Sequence, residues 1–320
     1  IRGGNPPVSN ETEIEYAMPI HVPMVDVRTV GAGGGSIASV NAAGLLEVGP
    51  ESAGAEPGPI CYGRGGSRPT ISDANLLLGR LNPERLNSVE GGISRAAVED
   101  IFRRDLGEPL GVDGIEAAEA VIRIANAKMA GAIRMVSLSL GADPRDFALF
   151  AFGGAGPLHA AALARELGVP RVLIPARPGI TNALGCIVAD LRHDFVQTIN
   201  QPLDFLDIEQ LRRRFETEYW ARFKVELAEI SAVVVNINCS VIGKRDPVDL
   251  SGLIDPAGRL AEAVSVGTRS VIFDGIAHET PVYRRDTLPA DVSLSGPAVI
   301  EQLDCTTLVP PGDRVEGAAD

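Results

Sequence analysis

The sequence predicts an α/β fold, with an α/β lobe over residues 1–230 and a smaller β-rich module over 231–320. Three observations carry this. Phe147 to Phe152 reads as a buried strand, Gly153-Gly154-Ala155-Gly156-Pro157 turns it into a helix from Leu158 to Leu167, and Val169 to Ile174 reads as the next strand. That pattern is a parallel pair with a helical crossover. Asp207 to Ile230 has the periodicity of a long amphipathic helix with mixed charges. After it the period changes: Ala232–Ile242, Arg269–Phe273, Val282–Arg284 and Ala298–Ile300 read as strands, with Gly/Pro turns at 251–258 and 310–312.

The remaining elements follow from local chemistry. Val25 to Val30 is a short β-branched-rich stretch, Gly31 to Gly35 a glycine turn, and Ser36 to Val40 an alternating strand. Asn41-Ala42-Ala43-Gly44 turns the chain into a strand from Leu45 to Val48. Residues 49–69, GPESAGAEPGPICYGRGGSRP, form a long loop without periodicity; loops of this kind are functional or disordered, and Cys61, Tyr62 and Arg64 within it argue against disorder. Ser72 or Asp73 caps a helix through Leu81, Ser94 caps another to about Leu106, and Asp113 opens a long helix that ends near Gly141.

Composition excludes several classes. The 320 residues are 45% hydrophobic and 22% charged, so long disorder is not expected. A formal charge of −13 makes the chain a poor ligand for nucleic acid and for anionic membranes. No apolar run approaches the roughly 20 residues of a membrane span, and no signal peptide opens the chain. The start at Ile1 and the polar stretch after it suggest a cut or processed beginning. Cys61, Cys186, Cys239 and Cys305 lie far apart, which points to a cytoplasmic protein with free thiols.

Backbone amides in tight glycine turns approach phosphate or nucleotide closely, because no Cβ intervenes. Gly33, Gly34 and Gly35 lie between two strands, without a helix start or a following lysine, so a P-loop is excluded; a nucleotide contact and a tight hairpin or close backbone crossing both remain. Gly153, Gly154, Ala155 and Gly156 follow a strand and open a helix, the right setting for a nucleotide contact. The spacing is not GxGxxG and no acidic residue follows at the expected place, which argues against a dinucleotide fold and leaves a packing turn as the alternative.

Few side chains suit chemistry. Arg64 and Arg68 could hold phosphate or a carboxylate through a planar fork, or be solvated loop charges. Cys61, Asp73 and His159 suit a transition metal such as zinc by ligand type, if the fold brings them together. Taken singly, Asp73 is a capping residue and His159 a helix-start histidine. His193 and Asp194 would point to opposite faces of a strand, His21 and His278 read as surface residues, and no serine sits in a nucleophile elbow.

The strings TVGAGGGSIASV, VGPESAGAEPGPICYGRGGSRPTISDANLLLGRL, DPRDFALFAFGGAGPLHAAALARELGV and IPARPGITNALGCIVADLRHDFVQT resemble the hydantoinase A/oxoprolinase family, as does SGPAVIEQLDCTTLVPPGDRV near the end. The resemblance covers nearly the whole chain in order, with a weaker middle at about 200–265. It implies the second lobe of an actin-like ATPase fold, with ATP and Mg2+ as cofactors and Phe152-Gly153-Gly154-Ala155-Gly156 at the adenosine contact. It implies an ATP-dependent cyclic-amide hydrolase acting on 5-oxoproline or a hydantoin-like substrate, in which ATP phosphorylates the substrate oxygen. The alternatives are an acetone/acetophenone-type carboxylase subunit and a non-catalytic nucleotide-binding scaffold. An N-terminal lobe and a hydantoinase B-type subunit are the implied partners. The family's acidic phosphate loop, its GGT-type phosphate turn and its Arg-Tyr-Gly-Gln-like strand are not recognisable here, the last at Val233 to Gly243, so the isolated chain is expected to be inactive.

Overall fold

The computed structural model describes residues 8–9, 12–14, 18–20, 24–25, 27–85, 93–139, 141–197, 237–244, 246 and 258–318, with scattered positions between 209 and 224. The chain divides into two compact units, one of residues 1–27 with 186–248 and one of residues 28–185 with 249–320. Contacts thus partition the chain differently from the break at 230/231 that the change of periodicity suggests. The strands after residue 258 belong to the same unit as the first glycine turn.

In the first unit, β1 (Val8–Ser9) pairs with β4 (Met24–Val25), and β2 (Thr12–Ile14) pairs with β3 (Met18–Ile20), both antiparallel. Residues 27–30 carry no strand, so the stretch expected to run from Val25 to Val30 is not one element.

The second unit opens with an antiparallel pair, β5 (Ser36–Val40) and β6 (Leu46–Ser52). Asn41 makes the turn between them: its Oδ1 accepts from Ala43 N–H at 2.9 Å and from Leu45 N–H at 3.0 Å. Helix α1 (Ile71–Leu77) starts two or three residues earlier than expected, because Thr70, not Ser72 or Asp73, holds the extended cap conformation. Asp73 instead completes a capping box from the third helical position. Ser94 caps α2 (Arg95–Phe102) as its sequence predicts, and the chain continues through a π-helical turn, Arg103–Gly107, into the short α3 (Glu108–Leu110). Asp113 and Glu116 exchange backbone bonds of 2.8 and 3.1 Å at the start of α4 (Gly114–Ser139). The main core lies between α1, α2, α4 and β6, with Ile60, Leu76, Phe102 and Val121 fully shielded.

β7 (Leu149–Phe150), α5 (Gly156–Leu167) and β8 (Val172–Leu173) form the expected crossover unit, with Leu149 paired to Val172 in parallel. The strand is not buried as its composition suggests. Leu149 and Val169 pack on Ala130, Leu163 and Leu167, while Phe150 is 49% and Leu173 51% exposed on the other face. Alternation of side chains across a strand explains this: helices α4 and α5 cover one face only.

A 3-10 turn, Pro178–Ile180, leads into α6 (Thr181–Val188). β9 (Leu191–Gln197) pairs antiparallel with β10 (Ile237–Gly243), and His193 and Asp194 are successive positions of β9. The helix expected over Asp207–Ile230 and the first part of the strand expected from Ala232 lie largely outside the described residues. β11 (Gly267–Phe273), β12 (Ile276–Arg284), β14 (Ala298–Glu301) and β15 (Thr306–Val309) form one sheet in that order, with β12 and β14 parallel; β13 (Ser293–Ser295) pairs with β16 (Arg314–Glu316). Strands therefore form where Arg269, Val282 and Ala298 were expected to lie in strands.

This sheet is fastened to α1. Ile272 N–H donates to the Leu78 carbonyl at 2.9 Å. Gly79, at φ +73°, follows it; a Cβ there would lie 2.1 Å from the Ser270 carbonyl oxygen, so only glycine permits this approach. Among the described residues, no helix is long and apolar enough to cross a membrane.

Candidate functional site

Three chain segments of the second unit meet at the start of α5. The first is the turn 152–155 after β7. Gly153 has φ +80°, and a Cβ added there would meet no atom within 4 Å, so the backbone borders open space. No side chain caps α5, and Pro157 in its first turn brings no N–H. The rings of Phe150 and Phe152 lie 5.5 Å apart, and Phe152 is exposed beside the glycines. The second segment is the loop 174–181, whose Pro178 carbonyl accepts from Gly153 N–H at 2.7 Å. The third is the turn 302–305 between β14 and β15.

The third segment is pinned to the second by side chains. Asp304 Oδ2 accepts from Gly179 N–H at 2.8 Å, and a Cβ on Gly179 would lie 2.7 Å from the Asp304 Cβ. Gln302 Nε2 donates to the Ala176 carbonyl at 2.7 Å, and Arg285 donates to the Ile174 carbonyl at 3.0 Å. Burial holds the Arg285 guanidinium below its ordinary value, and burial together with Asp304 pushes the Cys305 thiol up to about 11. Asp304 Oδ1 is shut off from solvent and makes no hydrogen bond. It is a carboxylate oxygen with acceptor capacity left over, close to the glycine turn, whose Gly154 Cβ position lies 3.5 Å from the Asp304 carbonyl oxygen. Sequence reasoning missed Asp304, Gln302 and Arg285. Only the conspicuous string around Gln302 and Asp304 signalled anything; Arg285 lies outside it, and no spacing joins residue 304 to residue 153.

The other predicted residues lie away from this meeting point, at the first glycine turn and the 49–69 loop. Gly34 and Gly35 are hemmed in by the chain: their Cβ positions lie 2.8 Å from Ser72 Oγ and 3.0 Å from Ser52 Oγ, and Gly34 O accepts from Ser72 N–H. Gly33 alone of the three meets no atom within 4 Å. Gly34 and Gly35 thus pack against serine hydroxyls. Arg68 is exposed and its fork is taken by Glu51, one of whose oxygens it reaches at 2.9 Å; the pairing lowers the carboxyl and raises the guanidinium. Arg64 is exposed in the same loop.

The expectation of a metal group at Cys61, Asp73 and His159 is corrected. Among the described residues, no three His, Cys, Asp or Glu side chains are placed to hold a metal ion. Asp73 is fully buried and spends its oxygens within the protein: it accepts from Cys61 N–H at 2.7 Å, Ile60 N–H at 3.2 Å, Thr70 N–H at 3.0 Å and Thr70 Oγ1 at 2.7 Å. Burial, then the Asp73 charge, pushes the Cys61 thiol far up, the opposite of a thiolate ligand. His159 is buried against another partner, with Nδ1 2.8 Å from Asn126 Oδ1; burial, then the Arg80 charge, lowers its pKa to about 4.

An α/β unit with an open glycine turn at the end of a parallel strand is the setting of a ligand-binding lobe. The chain belongs to the hydantoinase/oxoprolinase family: the family model matches residues 1–195 and the model of its C-terminal domain matches 194–317. It is 35% identical to the caprolactamase subunit alpha of Pseudomonas jessenii over 98% of this chain and 54% of that subunit. The acetophenone carboxylase gamma subunit of Aromatoleum aromaticum is 30% identical over 92% of this chain and 50% of its own length. The solved structure of the ATP-dependent caprolactamase from Pseudomonas jessenii superimposes with a TM-score of 0.70 at 33% identity, covering 96% of this chain and 54% of that one. The chain thus spans about half the length of these relatives.

Proposed function

We propose that the chain is part of an ATP-dependent cyclic-amide hydrolase acting on a lactam or imide of the 5-oxoproline or hydantoin kind, with an actin-like lobe that holds the nucleotide. The carrying observation is the turn at Gly153–Gly156, an open backbone edge at an uncapped helix start beside an exposed aromatic ring. Likeness to an ATP-dependent caprolactamase supports this reading.

Bound ATP would supply the phosphoryl group that activates the amide oxygen toward water. The residues of this chain do the holding. Gly153, Gly154 and Gly156 let the ligand approach the backbone, and Phe152 offers an apolar face beside them. The Gly179–Asp304 bond keeps the 174–181 and 302–305 segments against the turn. The described residues offer no group of three metal ligands, so no metal step is assigned to this chain.

The rest of the assembly belongs to the same proposal. The half of each relative that this chain does not span would carry the phosphate loops, a hydantoinase B-type subunit would be the partner, and residues 1–320 alone would not turn over ATP. A carboxylase subunit is the second reading, favoured by the 30% identity to the acetophenone carboxylase gamma subunit.

The test is ATP consumption by the reconstituted assembly with 5-oxoproline, hydantoin or caprolactam, set against acetone or acetophenone with bicarbonate. Amide-dependent hydrolysis is the expected result, and ketone-dependent consumption would move the protein to the second reading. Nucleotide binding without any substrate-dependent turnover would make the chain a scaffold. Gly154→Val should weaken ATP binding while the fold persists, and a folded variant with unchanged affinity would remove the turn from the site.

A further inference from the structure

A cavity of about 540 Å³ opens between α4, α5 and the β11–β12 hairpin of the second unit, a volume that suits a small ligand. Its apolar wall includes Ile122, Leu158, Phe273 and Leu308, all buried. Arg80 also lines it. The Nε of Arg80 is shut off from solvent and makes no hydrogen bond, and its other nitrogens reach Asn75 Oδ1 and the Ile272 carbonyl only at 3.5 and 3.4 Å. A guanidinium in such a place needs a charged acceptor in good geometry, and Arg80 forms no salt bridge among the described residues.

Carboxylates line the same cavity without pairing to it. Glu119 and Asp274 act on Arg80 through space. Glu119 Oε1 is held by Gly275 N–H at 2.7 Å, which fixes the carboxylate at the hairpin. At the rim Arg165 pairs with Asp313 at 2.8 Å, and exposed Arg123 and Glu116 line the cavity from α4. A simple anion would satisfy Arg80 but face Glu119 and Asp274; a simple cation would meet Arg80.

We propose that this cavity binds a small amino-carboxylate, with its carboxylate on Arg80, its ammonium toward Glu119 and Asp274, and its aliphatic body on Leu158, Phe273 and Leu308. The site is separate from the glycine turn and holds whether or not that turn takes a nucleotide. Nothing in it attacks or transfers a group, so it is a binding site rather than a second reaction centre.

The experiment is calorimetric titration of the full chain with ε-aminocaproate and with L-leucine, using hexanoate and hexylamine as single-charge controls. Saturable one-to-one binding of at least one amino-carboxylate is expected, with both controls weaker by about tenfold or more. Arg80→Met should abolish it. Because that variant removes a buried residue, Ala161→Leu provides a second arm, filling the cavity from α5 without touching Arg80. It should weaken binding by about tenfold or more in a protein that still melts cooperatively. Failure of both amino-carboxylates to bind, hexanoate binding as tightly as ε-aminocaproate, or unchanged affinity in folded Ala161→Leu would each overturn the proposal.

Discussion

Asp73 accepts the backbone N–H of Cys61 at 2.7 Å, and this bond ties a long Gly/Pro loop to the first turn of α1. The same carboxylate holds Ile60 N–H and both donors of Thr70, so one side chain fixes the loop, the cap and the helix start together. A loop with no periodicity is ordered because its buried donors converge on one acceptor.

Asp73→Ala should therefore be among the most damaging substitutions in the chain. Each buried donor left without a partner costs about 1–3 kcal/mol, so a total loss of roughly 3–5 kcal/mol is expected. Urea unfolding of the two proteins measures it. A loss below about 1 kcal/mol would show that the loop is held by its apolar contacts instead.

Stability should fall between neutral and mildly acidic pH because of His159. Its folded pKa is lowered from 6.5 to about 4, so the unfolded chain binds the proton more readily. The contribution is present above about pH 6.5, declines as pH falls toward 4 and levels off below it, for a total of about 3 kcal/mol. His159→Gln, which retains a donor for Asn126, should flatten that part of the profile. Thermal melts of both proteins across this range check it, and parallel profiles would assign the acid sensitivity to other groups.

Asp304 is expected to act on both structure and ligand. Asp304→Asn retains an acceptor for Gly179 N–H, so stability should change by no more than about 1 kcal/mol. Loss of the charge weakens the bond from Gly179 N–H that holds the 174–181 segment at the turn, and should weaken nucleotide binding in the full assembly by about tenfold, since charge-assisted bonds are the stronger ones. Equilibrium binding of ATP to both proteins decides it. Equal affinities would show that this tether does not shape the nucleotide site.

In the β-rich part, Arg269 and Glu301 form a largely buried pair at 3.0 Å, with side-chain exposures of 18% and 7%. Glu301→Gln leaves the guanidinium unmatched and should cost about 3–5 kcal/mol. The double replacement Arg269→Met with Glu301→Leu should recover most of that, because two apolar side chains leave no buried charge behind. Chemical denaturation of the parent protein and the two variants checks this, and a double variant no more stable than Glu301→Gln would show that an unmatched buried charge is not the source of the loss.

Short-range chemistry was legible in the sequence. Ser94 as a cap, Asn41 as a turn former, the Asp113 helix start and the β-turn-α-β unit at residues 149–173 depend on neighbours a few positions apart, and all formed. The glycines at 153–156 were legible for the same reason, since a strand followed by glycines and a helix can be read along the chain. Where the reading failed, a distant contact had intervened. Thr70 displaced Ser72 and Asp73 as the cap because Asp73 was drawn to Ile60 and Cys61, and His159 was given to Asn126 on α4 rather than to a metal.

The sequence by itself determined the local elements, the family and the glycine turn, because periodicity, caps and long characteristic strings are written in consecutive residues. Only the tertiary structure decided that Asp304 lies against Gly179, that Arg80 is buried beside carboxylates it does not touch, and that Ile272 hydrogen-bonds to Leu78. These pairs are separated by more than a hundred residues, or join elements whose approach depends on the packing of several others. Their energies come from burial, and burial belongs to the folded chain rather than to any stretch of it.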